Sequence, residues 1–219
     1  MTSADFRRRV LVVEDEHLLR SLIVSQLRAE GFVVEDAANA AEARAAAKEF
    51  TPDFAVLDID LGGGPSGLVL AESLAQEFPQ IGIVFLTHLP EPRLIGLDNR
   101  MVPRQAAYLL KERVAEPEVL IRALQAVATR KANPEFRDDR NPDHPLVGIS
   151  NSQLDVLRLI AAGLSNHEIA AQRETTVRAV ENLINRALES AGLDSKETGN
   201  SRVMAAREFI RVAGLPAAK

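Results

Sequence analysis

The sequence predicts a doubly wound α/β unit built on five parallel strands, followed by an all-α unit of four helices. Two observations lead there. Five short, almost continuously apolar runs, "RVLVVED", "FVVED", "DFAVLD", "GIVFLT" and "AAYLLK", alternate with amphipathic stretches. Apolar runs without a polar face are typical of parallel strands covered on both sides, and βα alternation gives such a sheet right-handed crossovers. Beyond "KANPEFRDDRNPDHPLVG", rich in proline and charge, every periodicity is helical. The expected division is an α/β domain over 7–130, a linker over 131–147 and a helical domain over 148–215.

Composition narrows the classes. With 46% hydrophobic residues in 219, the chain has enough apolar material for a packed core. It has no cysteine, which excludes disulfides and thiolate metal sites. The opening "MTSADFRRRV" lacks the apolar stretch of a secretion signal, and no later run reaches membrane-spanning length, so a soluble cytoplasmic protein is expected. The net charge of -5 is unevenly spread: about -5 over 1–130, about -1 over 131–146 and about +1 over 147–219. The acidic first part suits a cation site.

The elements follow in order. The first strand ends at Glu14 and Asp15. The helix after it carries Leu19, Leu22, Ile23 and Leu27 and closes at Gly31. The third strand runs into "LDIDLGGG", which holds Asp58 and Asp60. The fourth ends at Thr87. Its connection, "HLPEPRLIGLDNRMVPRQ", carries Pro90, Pro92, Pro103 and Gly96, which predicts a short or broken fourth helix. The fifth strand ends at Lys111, before a helix with Leu120, Ala123, Leu124 and Val127. In the helical half, capping boxes open the first two helices, Ser150 with Gln153 and Ser165 with Glu168, and Gly163 stops the first. Thr176 caps a third helix that stops at Gly192. The fourth ends at Gly214, before Pro216.

In a doubly wound sheet the ends of strands one and three lie side by side, which brings Glu14 and Asp15 near Asp58. Three carboxylates at one mouth repel unless a hard cation sits among them, and Mg²⁺ fits this oxygen set best. The Thr87 hydroxyl and the Lys111 ammonium, at the ends of strands four and five, are suited to hold a phosphoryl oxygen. A haloacid-dehalogenase-type phosphatase would use Asp58 as nucleophile and Asp60 as general acid. Chain order argues against it, because Glu14 and Asp15 precede the lysine instead of following it, and no cap domain is evident.

On these motifs, residues 7–130 resemble the flavodoxin-like receiver domain of two-component response regulators. The quoted stretches are "VLVVEDE", "PDFAVLDIDLGGGPSG", "IVFLTH" and "AAYLLK". The resemblance implies that Asp58 accepts a phosphoryl group from a histidine kinase, with Mg²⁺ held by Glu14, Asp15, Asp58 and the Asp60 carbonyl. It implies that Thr87 moves to the phosphoryl oxygen while Tyr108 turns inward, and that Lys111 meets the new charge. A receiver of this kind is no enzyme toward outside substrates and catalyses only its own phosphotransfer and dephosphorylation. The chain departs from the usual pattern at His88, at Asp60, at Glu112 after the lysine, and in the proline-rich 89–105 segment. These put the standard switch and dimer surface in question.

The last part, on "SNSQLDVLRLIAAGLSNHEIA" and "VRAVENLINRALESAGL", resembles the LuxR-like helix-turn-helix domain of NarL/FixJ-type regulators. A helical wheel puts Val177, Val180, Ile184, Ala187 and Leu188 on a core face. Arg178, Asn182, Asn185 and Arg186 lie opposite, residue types that suit a DNA major groove. Glu174 stands where the family's turn usually has glycine. Glu181 stands where a lysine usually reaches DNA, so its carboxylate repels phosphate or accepts from cytosine. With so little positive charge, dimerisation is the expected aid to DNA affinity. Val203, Ala206 and Ile210, continued by Ala213, form a stripe on the last helix suited to pairing two copies or to core packing. The expected function is a phosphorylation-controlled transcription regulator; the alternative is a phospho-dependent protein-binding regulator without DNA binding.

Overall fold

The computed structural model describes residues 8–131, 133–141, 146, 148–192 and 200–214. Pro216 and residues 132, 142–145 and 147 of the expected linker lie outside them. Five strands, β1 (Arg9–Val13), β2 (Val33–Ala37), β3 (Phe54–Leu57), β4 (Gly82–Thr87) and β5 (Ala107–Leu110), form one parallel sheet in the order β2-β1-β3-β4-β5. The interior strands are buried at nearly every position, as their apolar runs predict. β2 lies at an edge and exposes Glu35 and Asp36.

Helices α1 (His17–Ala29), α2 (Ala40–Phe50), α3 (Gly67–Glu77) and α4 (Pro117–Ala128) belong to the sheet unit. Each amphipathic helix turns its apolar stripe to the sheet. α4 contributes Leu120, Ala123, Leu124 and Val127, all buried. The buried face of α1 is Ile23, Val24 and Leu27, whereas Leu22 is 59% exposed. Leu22 precedes Ile23 by one position, about 100° round the helix, and so turns out of the stripe. The β4–β5 connection holds only two short 3₁₀ turns, Pro92–Ile95 and Asn99–Met101, because its prolines remove the donors that an α-helix needs.

The helical unit has α5 (Asn151–Ala161), α6 (Asn166–Gln172), α7 (Val177–Ser190) and α8 (Ser201–Ala213). Both capping boxes are formed, Thr176 caps α7, and Gly163 and Gly192 have positive φ at the helix stops. Glu174 takes the left-handed conformation, with φ 49°, in the turn between α6 and α7. Val180, Ile184, Ala187 and Leu188 are buried and Val177 is half-buried. On α8 the core face is Ala205 and Phe209; Val203 is exposed and Ala206, Ile210 and Ala213 are half-buried, so the stripe runs along the border of the core.

The compact units do not follow the sequence order. One takes residues up to 88 together with 100–138, and the other takes 89–99 with the residues from 139 onward. In the helical unit Leu94 and Ile149 are buried, the turn Pro92–Ile95 packs on α5, and Arg93 donates to the Ile149 carbonyl at 2.9 Å and to Asn151 at 3.0 Å. In the sheet unit Phe136, expected in a linker, is buried in the sheet core. Among the described residues no helix is long and apolar enough to cross a membrane.

Candidate functional site

The site forms where strands end. β1 delivers Glu14 and Asp15, β3 delivers Asp58, β4 ends at Thr87, and Lys111 follows β5. Backbone bonds extend the register one step past the strands: Asp58 N donates to the Val13 carbonyl at 2.9 Å, and Glu14 N to the Ala37 carbonyl at 3.2 Å. Carboxylate oxygens of Glu14, Asp15 and Asp58 lie within 4.8 Å of one another, with Glu14 and Asp58 buried and Asp15 exposed.

Lys111 Nζ bridges this cluster, at 2.7 Å from Asp58 Oδ2 and 2.9 Å from Glu14 Oε1. Burial raises the pKa of Glu14; the Asp58 charge adds to this, and the Lys111 hydrogen bond works against it. For Lys111, burial opposes the charged form most strongly, but the charges and hydrogen bonds of Asp58 and Glu14 together outweigh it and leave its pKa raised. Three carboxylates against one ammonium leave about two negative charges, which a divalent cation balances. The all-oxygen donor set fits a hard cation such as Mg²⁺.

Asp60 N donates to Asp58 Oδ1 at 3.2 Å, so the loop after the strand turns back on the carboxylate. The Asp60 residue itself is exposed. Thr87 and Tyr108 are fully buried, and the Tyr108 ring lies 6.2 Å from that of Phe85, centroid to centroid. His88 Nδ1 lies 3.7 Å from Glu112 at the surface.

Two residues beyond the sequence-derived set shape the site. Arg20 donates to the Glu14 carbonyl at 2.6 Å and to Asp36 at 3.0 Å, which ties the acidic loop to α1 and β2. Gly67 opens α3 so close to Asp58 that a Cβ would stand 1.9 Å from the Asp58 carbonyl oxygen. The sequence signal for Arg20 is a lone base within two turns of an acidic pair; Gly67, after the N-cap Ser66, looks like any helix start.

On α7, Arg178, Asn182, Asn185 and Arg186 are exposed, as are Glu181 and, before the helix, Glu174. Glu181 and Asn185 also line an open pocket with Asn166, Asn200 and Arg202, beside the start of α8.

Residues 10–96 match the family model of the response regulator receiver domain. The chain also has relatives that match it over most of its length. It is 28% identical over 207 residues to the oxygen regulatory protein NreC of Staphylococcus aureus, a match that covers 86% of this chain and 93% of NreC. Its fold is similar to that of the two-component response regulator RcsB in a DNA complex, with 19% identity, TM-score 0.59, and 94% and 99% of the two chains covered. RcsB from Salmonella enterica serovar Typhimurium, bound to a promoter in the presence of the phosphomimetic BeF₃⁻, matches with 17% identity, TM-score 0.55, and 93% and 98% coverage.

Proposed function

We propose that this protein, a receiver over 7–130 and a helix-turn-helix domain over 148–215, acts in the cytoplasm as a phosphorylation-controlled regulator of transcription. The observation that carries this reading is the Lys111 ammonium held between Asp58 and Glu14, with Asp15 beside them, at the ends of β1, β3 and β5. Asp58 attacks the phosphorus of a phosphohistidine on a sensor kinase. The P–N bond breaks, the imidazole leaves, and an acyl phosphate forms on Asp58. Mg²⁺, held by Glu14, Asp15, Asp58 and the Asp60 carbonyl, would neutralise charge during that transfer. Lys111 and the Thr87 hydroxyl then bind phosphoryl oxygens, and Lys111 follows the new charge.

The helical unit supplies the output. Arg178, Asn182, Asn185 and Arg186 enter the major groove of promoter DNA, and Glu181 weakens phosphate contact there. A homodimer through Val203, Ala206 and Ile210 doubles the contact; the exposure of Val203 supports this use.

Labelling with a small acyl phosphate in Mg²⁺ tests the acceptor: Asp58→Ala removes all label, and label persisting at the same stoichiometry refutes the assignment. Selection from random duplex DNA, with and without beryllofluoride, tests the output. A palindrome enriched with the mimic supports gated DNA binding. No enrichment, with the mimic bound, favours a protein partner instead.

A further inference from the structure

Residues 133–138 close the outer edge of β5. Phe136 is buried in the sheet core, and Arg137 makes a parallel bridge to Tyr108. Asp138 holds this segment at two points. Its Oδ2 accepts the Leu110 backbone N–H at 2.9 Å, and its Oδ1 accepts Arg113 Nη1 at 2.5 Å. Arg113 also donates to the Glu135 carbonyl at 3.1 Å. Leu110 and Arg113 flank Lys111, so one carboxylate fixes the backbone just before the lysine and a side chain just after it.

We propose that Asp138 is a positioning residue for Lys111, and that the docking of 133–138 on β5 thereby responds to what Asp58 carries. The proposal rests on the reading of Asp58 as phosphoryl acceptor. In the resting protein Lys111 spans Glu14 and Asp58. A phosphoryl group moves the acceptor oxygens away from β3 by the length of a P–O bond, and the ammonium must shift to follow. That shift passes along the chain to Leu110 and Arg113, the two partners of Asp138. The modified site therefore favours the undocked segment. By linkage, undocking favours the modified site by the same factor. Chain position gives the event an outlet: once released, the connection from α4 to α5 starts at the end of α4 instead of after Asp138.

Hydrogen exchange on the full chain in Mg²⁺, with and without beryllofluoride, tests this, while ¹⁹F NMR reports the bound mimic. The Leu110 amide and residues 133–138 should exchange at least about fivefold faster with the mimic bound. Asp138→Ala and the milder Asp138→Asn should bind beryllofluoride about fivefold more tightly. A purely structural Asp138 would lower thermal stability and leave that affinity unchanged. Bound fluoride with unchanged exchange, or variants with unchanged or weaker affinity, overturns the proposal. Absence of a bound fluoride signal in the unaltered protein overturns the acceptor reading and this inference with it.

Discussion

Residues 89–99 and 133–138 are both short, proline-bearing and charged, yet each buries a large apolar side chain, Leu94 in one and Phe136 in the other. The first joins the helical unit and the second the sheet unit, against their order in the chain. What each finds there differs in sign. The edge strand β5 offers a backbone N–H at Leu110, and it recruits the carboxylate of Asp138. The approach to α5 offers the Ile149 carbonyl, and it recruits the guanidinium of Arg93. Open donors draw acids and open acceptors draw bases, so two segments of similar composition go to different homes.

The sharpest way to break this comparison is Phe136→Ala. It should destabilise the sheet unit by about 4 kcal/mol, read by urea unfolding, because a large ring leaves the core. A loss well below that would mean that 133–138 is only laid on the surface. Arg93→Ala comes next. It strips the buried Glu91 carboxylate of its paired cation, which lies at 2.8 Å, and should cost roughly 3 kcal/mol. The double variant Glu91→Gln with Arg93→Met should recover much of that loss. If the single variant costs nothing, the anchor of 89–99 is its buried apolar set, Leu89, Pro92 and Leu94. Glu174→Gly is the control outside both segments. It should gain on the order of 1 kcal/mol in the helical unit, because glycine accepts φ near 49° without penalty, and no gain would point to a compensating contact of the Glu174 side chain.

Much of this architecture is written locally. Strand ends, capping boxes, glycine stops and the left-handed turn at Glu174 depend on neighbours in sequence, and the strand order of a doubly wound sheet then brings Glu14, Asp15 and Asp58 together. What stayed hidden depends on partners far away in the chain. Leu22 reads as core by periodicity, and only the width of the packed face shows that it points outward. The stripe through Val203 is apolar enough for core, and only Ala205 and Phe209 filling that place leave it at the border, with Val203 exposed. Gly67 matters through one close approach to the Asp58 carbonyl, which no spacing encodes. The linker reading of 131–147 failed to separate Phe136 from its polar neighbours, since a single ring gives no periodicity.

The chain passes between its two units at residues 88/89, 99/100 and 138/139. As the polypeptide leaves the ribosome, the sheet unit lacks Phe136 until residues well past β5 have emerged, while residues 89–99 wait longer still for α5. Neither unit is therefore a module in the genetic sense. A crossover that swaps the front halves of two such genes inside 131–147 would deliver one parent's 89–99 to the other parent's α5, and could divide Phe136 and Asp138 from the strand they complete. Exchange of sheet units by simple domain shuffling, easy for proteins with a plain tether, is here constrained at two places at once.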